Sequence, residues 1–131
     1  MEALAIVTSL ALIQIVFFSF QVGASRQKHG ISAPKTVGED AFEREFRVHQ
    51  NTVEQFVVFI PALWLFGYFV NPNWAAGIGV VFIVSRFMYR SAYTGDPAKR
   101  GMPFTIGLLC MAVLVLGTII GVTMSLFGLP G

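Results

Sequence analysis

The chain has 131 residues, 55% of them hydrophobic and 12% charged, with a formal net charge of +2. Soluble globular domains carry roughly 25% charged residues, so this composition excludes an ordinary soluble domain and points to a single integral membrane domain. The one cysteine, Cys110, cannot form an internal disulfide and has no metal-ligand spacing around it; it reads as a small buried hydrophobe.

A transmembrane helix needs roughly 20 largely apolar residues, and four segments qualify, at about 3–24, 43–70, 74–94 and 102–127. The first ends in "VGAS", which resembles a small-residue cleavage site. Its only preceding ionisable side chain is Glu2, and the basic residues follow the apolar run. Both facts oppose a secretory signal and favour a retained helix. A long polar loop, Ser25 to Ala41, comes next. The second segment opens with "FEREFRVHQNTVEQF" (42–56) and runs straight into "VVFIPALWLFGYFV". Pro61 removes a backbone hydrogen bond there and predicts a kink. The Asn71-Pro72-Asn73 turn makes the second and third segments antiparallel neighbours. A short basic loop, Thr94 to Gly101, leads to the fourth. That segment carries Gly117-Thr-Ile-Ile-Gly121, a pattern of close helix packing or of oligomer contact. The sequence shows no internal repeat.

All nine Lys and Arg residues fall in the first and third loops or the adjoining helix ends: Arg26, Lys28, Lys35, Arg44, Arg47, Arg86, Arg90, Lys99 and Arg100. The positive-inside rule places those loops in the cytoplasm and both termini on the non-cytoplasmic side.

The polar residues also fall on helical stripes. Arg44, Arg47, Asn51 and Glu54 share one face of the second helix, and Arg86, Tyr89, Arg90 and Tyr93 one face of the third. Counting from Pro72 puts Glu54 level with Arg90. Two polar stripes at one depth predict a pocket near the interface, since ionisable residues in membrane helices usually face a bundle interior or a wet cavity. Glu54 suits an ammonium group, and Arg47 suits a carboxylate through a bidentate fork. Arg44, Lys28, Lys35 and Lys99 read equally well as snorkelling side chains. Arg86 either serves a ligand or forms a structural ion pair with Glu54. Glu43, Arg44 and Glu45 read as a solvated helix start.

"FEREFRVHQNTVEQF", "PALWLFG" and "RFMYRSAYTGDPAKRG" together resemble the MAPEG superfamily, the membrane-associated proteins in eicosanoid and glutathione metabolism, which include microsomal glutathione transferases and leukotriene C synthases. The resemblance implies an all-α, four-transmembrane-helix bundle that assembles as a homotrimer, with glutathione as co-substrate bound between subunits and facing the cytoplasm. By motif it assigns glutathione binding to Arg47, Asn51, Glu54, Tyr89 and Tyr93. Arg26 and His49 would come from the neighbouring subunit. Arg100 would activate the thiol, with Tyr93 as a second catalytic candidate. The implied activity is a glutathione transferase acting on a lipophilic electrophile from the bilayer, with reduction of lipid hydroperoxides as a side activity. Gln27 and Gln55 replace an arginine and a tyrosine of the leukotriene synthases, and His49 replaces a glutamine. The first two changes favour a general transferase over a dedicated leukotriene synthase. The competing readings are a non-catalytic membrane protein of the same fold and a small proton-coupled transporter. No metal and no nucleic acid is expected.

Overall fold

The apolar segments become four long helices in the computed structural model, which describes residues 1–129. They are α1 (Glu2–His29), α2 (Asp40–Phe69), α3 (Pro72–Gly95) and α4 (Gly101–Leu126), with a 3-10 turn at Pro97–Arg100 before α4. Each is long and apolar enough to cross a membrane.

The helix ends follow local chemistry. α1 runs past Ala24 to His29, taking up the start of the expected loop. Arg26, Lys28 and His29 lie in its last turn, where cations complement the carbonyl end of the helix dipole. Gly30 closes it with φ of 65°, a left-handed conformation that favours glycine. α2 begins at Asp40, with Asp40 and Glu43 in its first turn. Its 30 residues span about 45 Å, more than the roughly 30 Å of a hydrocarbon core, so one end stands in a polar environment. α2 continues as helix through Pro61, which is exposed. At the start of α3 the Asn71 side chain accepts from the backbone N–H groups of Asn73 and Trp74, and Pro72 takes the first helical position.

The core lies between all four helices. Phe59 of α2 and Phe82 of α3 stack with centroids 3.8 Å apart and planes at 10°, within a cluster that includes Leu4, Val7, Leu63 and Leu114. Backbone approach is close at the glycines. A Cβ on Gly79 would lie 2.7 Å from Val7 Cγ1 and 3.2 Å from Leu63 Cδ1. A Cβ on Gly117 would lie 2.6 Å from Phe66 Cε2, and one on Gly121 would lie 3.0 Å from Val70 Cγ2. The GxxxG pattern therefore serves contact between α4 and α2 of the same chain.

Polar links join the same helices. Gln14 of α1 is buried and donates through Nε2 to the Ile83 carbonyl of α3 at 2.8 Å. Trp64 Nε1 donates to Thr8 Oγ1 at 3.0 Å. Arg90 of α3 donates to both carboxylate oxygens of Glu45, at 2.7 Å through Nη2 and 3.2 Å through Nε, and to Gln21 Oε1 at 3.2 Å. Glu45 is thus no solvated helix start: its side chain is 15% exposed and holds α2 to α3.

Two outcomes follow from this packing. Gly79→Ala overpacks the α1–α2–α3 junction, and thermal unfolding in detergent should register a loss of about 1–3 kcal/mol. Glu45→Ala strips Arg90 of its carboxylate and should cost about 1.5–3 kcal/mol in the same assay, with Glu45→Gln losing less.

Candidate functional site

At the end of the bundle that carries the basic residues, a cavity of about 140 Å³ opens between α2, α3 and the 3-10 turn. α2 supplies Arg47, Gln50, Asn51 and Glu54; α3 supplies Tyr89 and Tyr93; the turn supplies Arg100. The α2 positions step by three, one and three, so one helical face carries all four. The two tyrosines lie one turn apart, and their rings stack at 5.6 Å with planes at 30°. Arg100 is anchored by its own turn, since its Nη1 donates to the Pro97 carbonyl at 2.8 Å. Its guanidinium carbon lies 5.6 Å from the centre of the Tyr93 ring, close enough for cation–π attraction. An adjoining space of about 520 Å³ shares Asn51, Tyr89 and Arg100 and adds Ala98, Gly101 and Phe104. The polar cavity therefore continues into a partly apolar one.

Arg86 lies behind this wall, 1% exposed. Its Nη2 donates to Asn51 Oδ1 and to Thr52 Oγ1, both at 2.8 Å. Its guanidinium carbon sits 4.3 Å from the centre of the Tyr89 ring. The expected ion pair between Arg86 and Glu54 does not form; Glu54 is exposed and lines the cavity. Counting back from Pro72 puts Arg86 opposite Val58 and Arg90 opposite Glu54. Both guanidinium groups instead find acceptors about two turns or more nearer the polar end, at Asn51 and Thr52 and at Glu45. Long arginine side chains run toward the polar end of a membrane helix, and residue counting ignores that reach.

The cavity brings together six of the residues singled out from the sequence: Arg47, Asn51, Glu54, Tyr89, Tyr93 and Arg100. It leaves out two. Arg26 donates through Nη1 to the Lys35 carbonyl at 2.6 Å and lies 4.8 Å from the centre of the Phe42 ring. His49 is half-buried on α2, off the cavity face. Gln50 was missed, although positions 47, 50, 51 and 54 make a fuller helical face than 44, 47, 51 and 54.

Chemically, the wall offers two guanidinium groups, one carboxylate, two side-chain amides and two phenols. That set can hold a ligand carrying both an ammonium and a carboxylate, with one cation left over for a further anionic group. Among the described residues, no cluster of three or more His, Cys, Asp or Glu side chains comes together to hold a metal.

The chain is similar to known proteins. The MAPEG family matches residues 4–120. Microsomal glutathione S-transferase 2 of Homo sapiens is 36% identical over 122 residues, 93% of this chain and 83% of that protein. Leukotriene C4 synthase of Bos taurus is 33% identical over 112 residues, 86% of this chain and 75% of that protein. An uncharacterized protein of Synechocystis is 36% identical over 122 residues, 93% of this chain and 89% of that protein. A match across nearly the whole length, together with four helices able to cross a membrane, makes this chain a member of the MAPEG family.

Proposed function

We propose that the protein is a glutathione-dependent membrane transferase, in which the thiolate of glutathione attacks a lipophilic electrophile. The observation that carries this reading is the single cavity wall that joins Arg47, Asn51, Glu54, Tyr89, Tyr93 and Arg100. Glutathione has one ammonium and two carboxylates, and the wall has a carboxylate for the ammonium and a guanidinium for one of the carboxylates. Glu54 takes the ammonium, and Arg47 takes a carboxylate through its fork. A microsomal glutathione S-transferase among the relatives supports the choice of ligand.

Arg100 is the catalytic candidate. A free thiol has a pKa near roughly 8.5, and the thiolate is the nucleophile. A guanidinium stays protonated and cannot serve as a base, but its charge stabilises the thiolate and lowers the thiol pKa. The thiol proton leaves to solvent at the open end. The sulfur lone pair then forms the S–C bond as the leaving group departs with its electron pair. Tyr93, beside Arg100, is the second candidate, as a hydrogen-bond donor to sulfur. The adjoining space past Phe104 would receive the lipophilic partner from the bilayer. A lipid hydroperoxide entering there would be reduced to an alcohol by two glutathione molecules, which leave as the disulfide with one water.

A homotrimer fits the open form of the polar cavity, whose Arg47, Gln50 and Glu54 stand exposed on a single chain. A neighbouring subunit would complete the wall and bring in Arg26 and His49, both outside the cavity of their own chain. The positive charge of the adjoining loops supports a cytoplasmic orientation of the cavity. The proton-coupled transporter reading loses support: the apolar runs of α1, α3 and α4 hold no carboxylate, and Glu54 stands exposed at the polar end.

In purified protein, glutathione conjugation to chlorodinitrobenzene tests the assignment. Arg100→Ala should lower kcat by about 10²- to 10³-fold, the loss usual for one charge-stabilising donor. Arg47→Ala should mainly raise the KM for glutathione, by about 10- to 10²-fold for a lost charge-assisted fork. Full activity in both variants overturns the mechanism. Sidedness has its own test: in a Cys110→Ser background, Lys35→Cys should resist an impermeant maleimide in sealed right-side-out vesicles and react once they are opened.

A further inference from the structure

We infer that Arg86 is a positioning residue that fixes which end of the Asn51 amide faces the cavity. The inference rests on the reading of the cavity as a glutathione site. An asparagine side chain carries an acceptor oxygen and a donor nitrogen, and either could face a ligand. A guanidinium has donors and no acceptor, so the group it meets at 2.8 Å must be the Asn51 oxygen. The Asn51 nitrogen is then the group left for the cavity, where Asn51 forms part of both adjoining spaces.

The same Arg86 nitrogen is held from a second direction. Thr52 Oγ1 accepts from Arg86 Nη2 at 2.8 Å and passes its own proton to the Val48 carbonyl at 2.8 Å. Thr52 is fully buried, so its hydroxyl has no solvent to turn toward. The guanidinium carbon lies over the Tyr89 ring, 4.3 Å from its centre. Arg86 is thus clamped by α2 and by its own helix, and it carries that rigidity to Asn51 and Tyr89, two walls of the site. Its charge has no carboxylate partner within salt-bridge distance among the described residues. An unpaired buried cation is costly, and here it polarises an amide whose far end is an N–H donor. The cavity therefore presents a strengthened donor at Asn51 and selects a ligand acceptor there, a carboxylate or a peptide carbonyl.

The test is a double-mutant cycle on the full-length protein, with glutathione affinity read by isothermal titration and turnover read alongside. Arg86→Met should weaken glutathione binding by about tenfold in the wild-type background. In an Asn51→Ala background the same change should move affinity by less than about twofold, because the amide it orients is gone. Equal losses in both backgrounds, or no loss in either, overturn the inference. Asn51→Asp probes the orientation without touching Arg86: one oxygen stays on the guanidinium and the other replaces the donor. It should keep or raise the thermal midpoint, since the carboxylate pairs the buried cation, and weaken binding by at least about tenfold. Unchanged or tighter binding in Asn51→Asp overturns the inference even where Arg86 variants fail to fold. Wild-type protein that binds no glutathione at millimolar ligand overturns the functional reading together with this one. Wild-type binding with additive losses overturns this one alone.

Discussion

The Arg90 guanidinium meets both oxygens of Glu45 and the amide oxygen of Gln21, and that fork ties α3 to α2 and α1 at once. One turn further into the bundle, Arg86 repeats the device toward Asn51 and Thr52. The two walls of the cavity stand on α2 and α3, so their relative position is set by two arginines on one helix. Each is used differently. Arg90 keeps a carboxylate and serves as a structural joint. Arg86 has neutral acceptors and an aromatic face, and two of its contacts, Asn51 and Tyr89, line the site.

The division of labour explains how much of the site could be read from the sequence. Arg47, Asn51 and Glu54 were legible because their spacing is helical and their type is costly beside an apolar run. Tyr89 and Tyr93 were legible for the same reason on the partner helix. The partners of Arg86 and Arg90 were not, because residue counting fixes backbone depth and says nothing of where a long side chain ends. Glu45 was read as solvated for that reason. Gln50 was passed over because a neutral amide at a helix start carries no strong signal alone. Arg26 and His49, which the resemblance assigns to a neighbouring subunit, fall outside the cavity of a single chain.

Helix existence was legible throughout, and helix ends less so. Ser25 to His29 look like loop by composition, yet the helix continues because its last-turn cations suit the carbonyl end and Gly30 supplies the left-handed cap. The glycine pattern in α4 was ambiguous, since spacing alone does not say whether the facing helix belongs to the same chain. Phe66 and Val70 answer that question for Gly117 and Gly121. The apolar residues on the bundle's outer faces carry no comparable code, because one hydrocarbon side chain meets lipid much as another does.

Gln14 has a mechanical consequence. Its amide grips the Ile83 carbonyl at the middle of the bundle, far from water that could take over either partner. Sliding α1 along α3 by one turn, about 5.4 Å, would strand the Gln14 N–H donor in hydrocarbon, while the Ile83 carbonyl keeps the bond of its own helix. The bond therefore acts as a detent, giving α1 one rest position against its neighbour. When the surrounding bilayer thickens or thins, a helix pinned in this way cannot shear past the others to match it. Tilting of the bundle as a unit is a response that keeps this bond, and it carries the geometry at the polar end along with it.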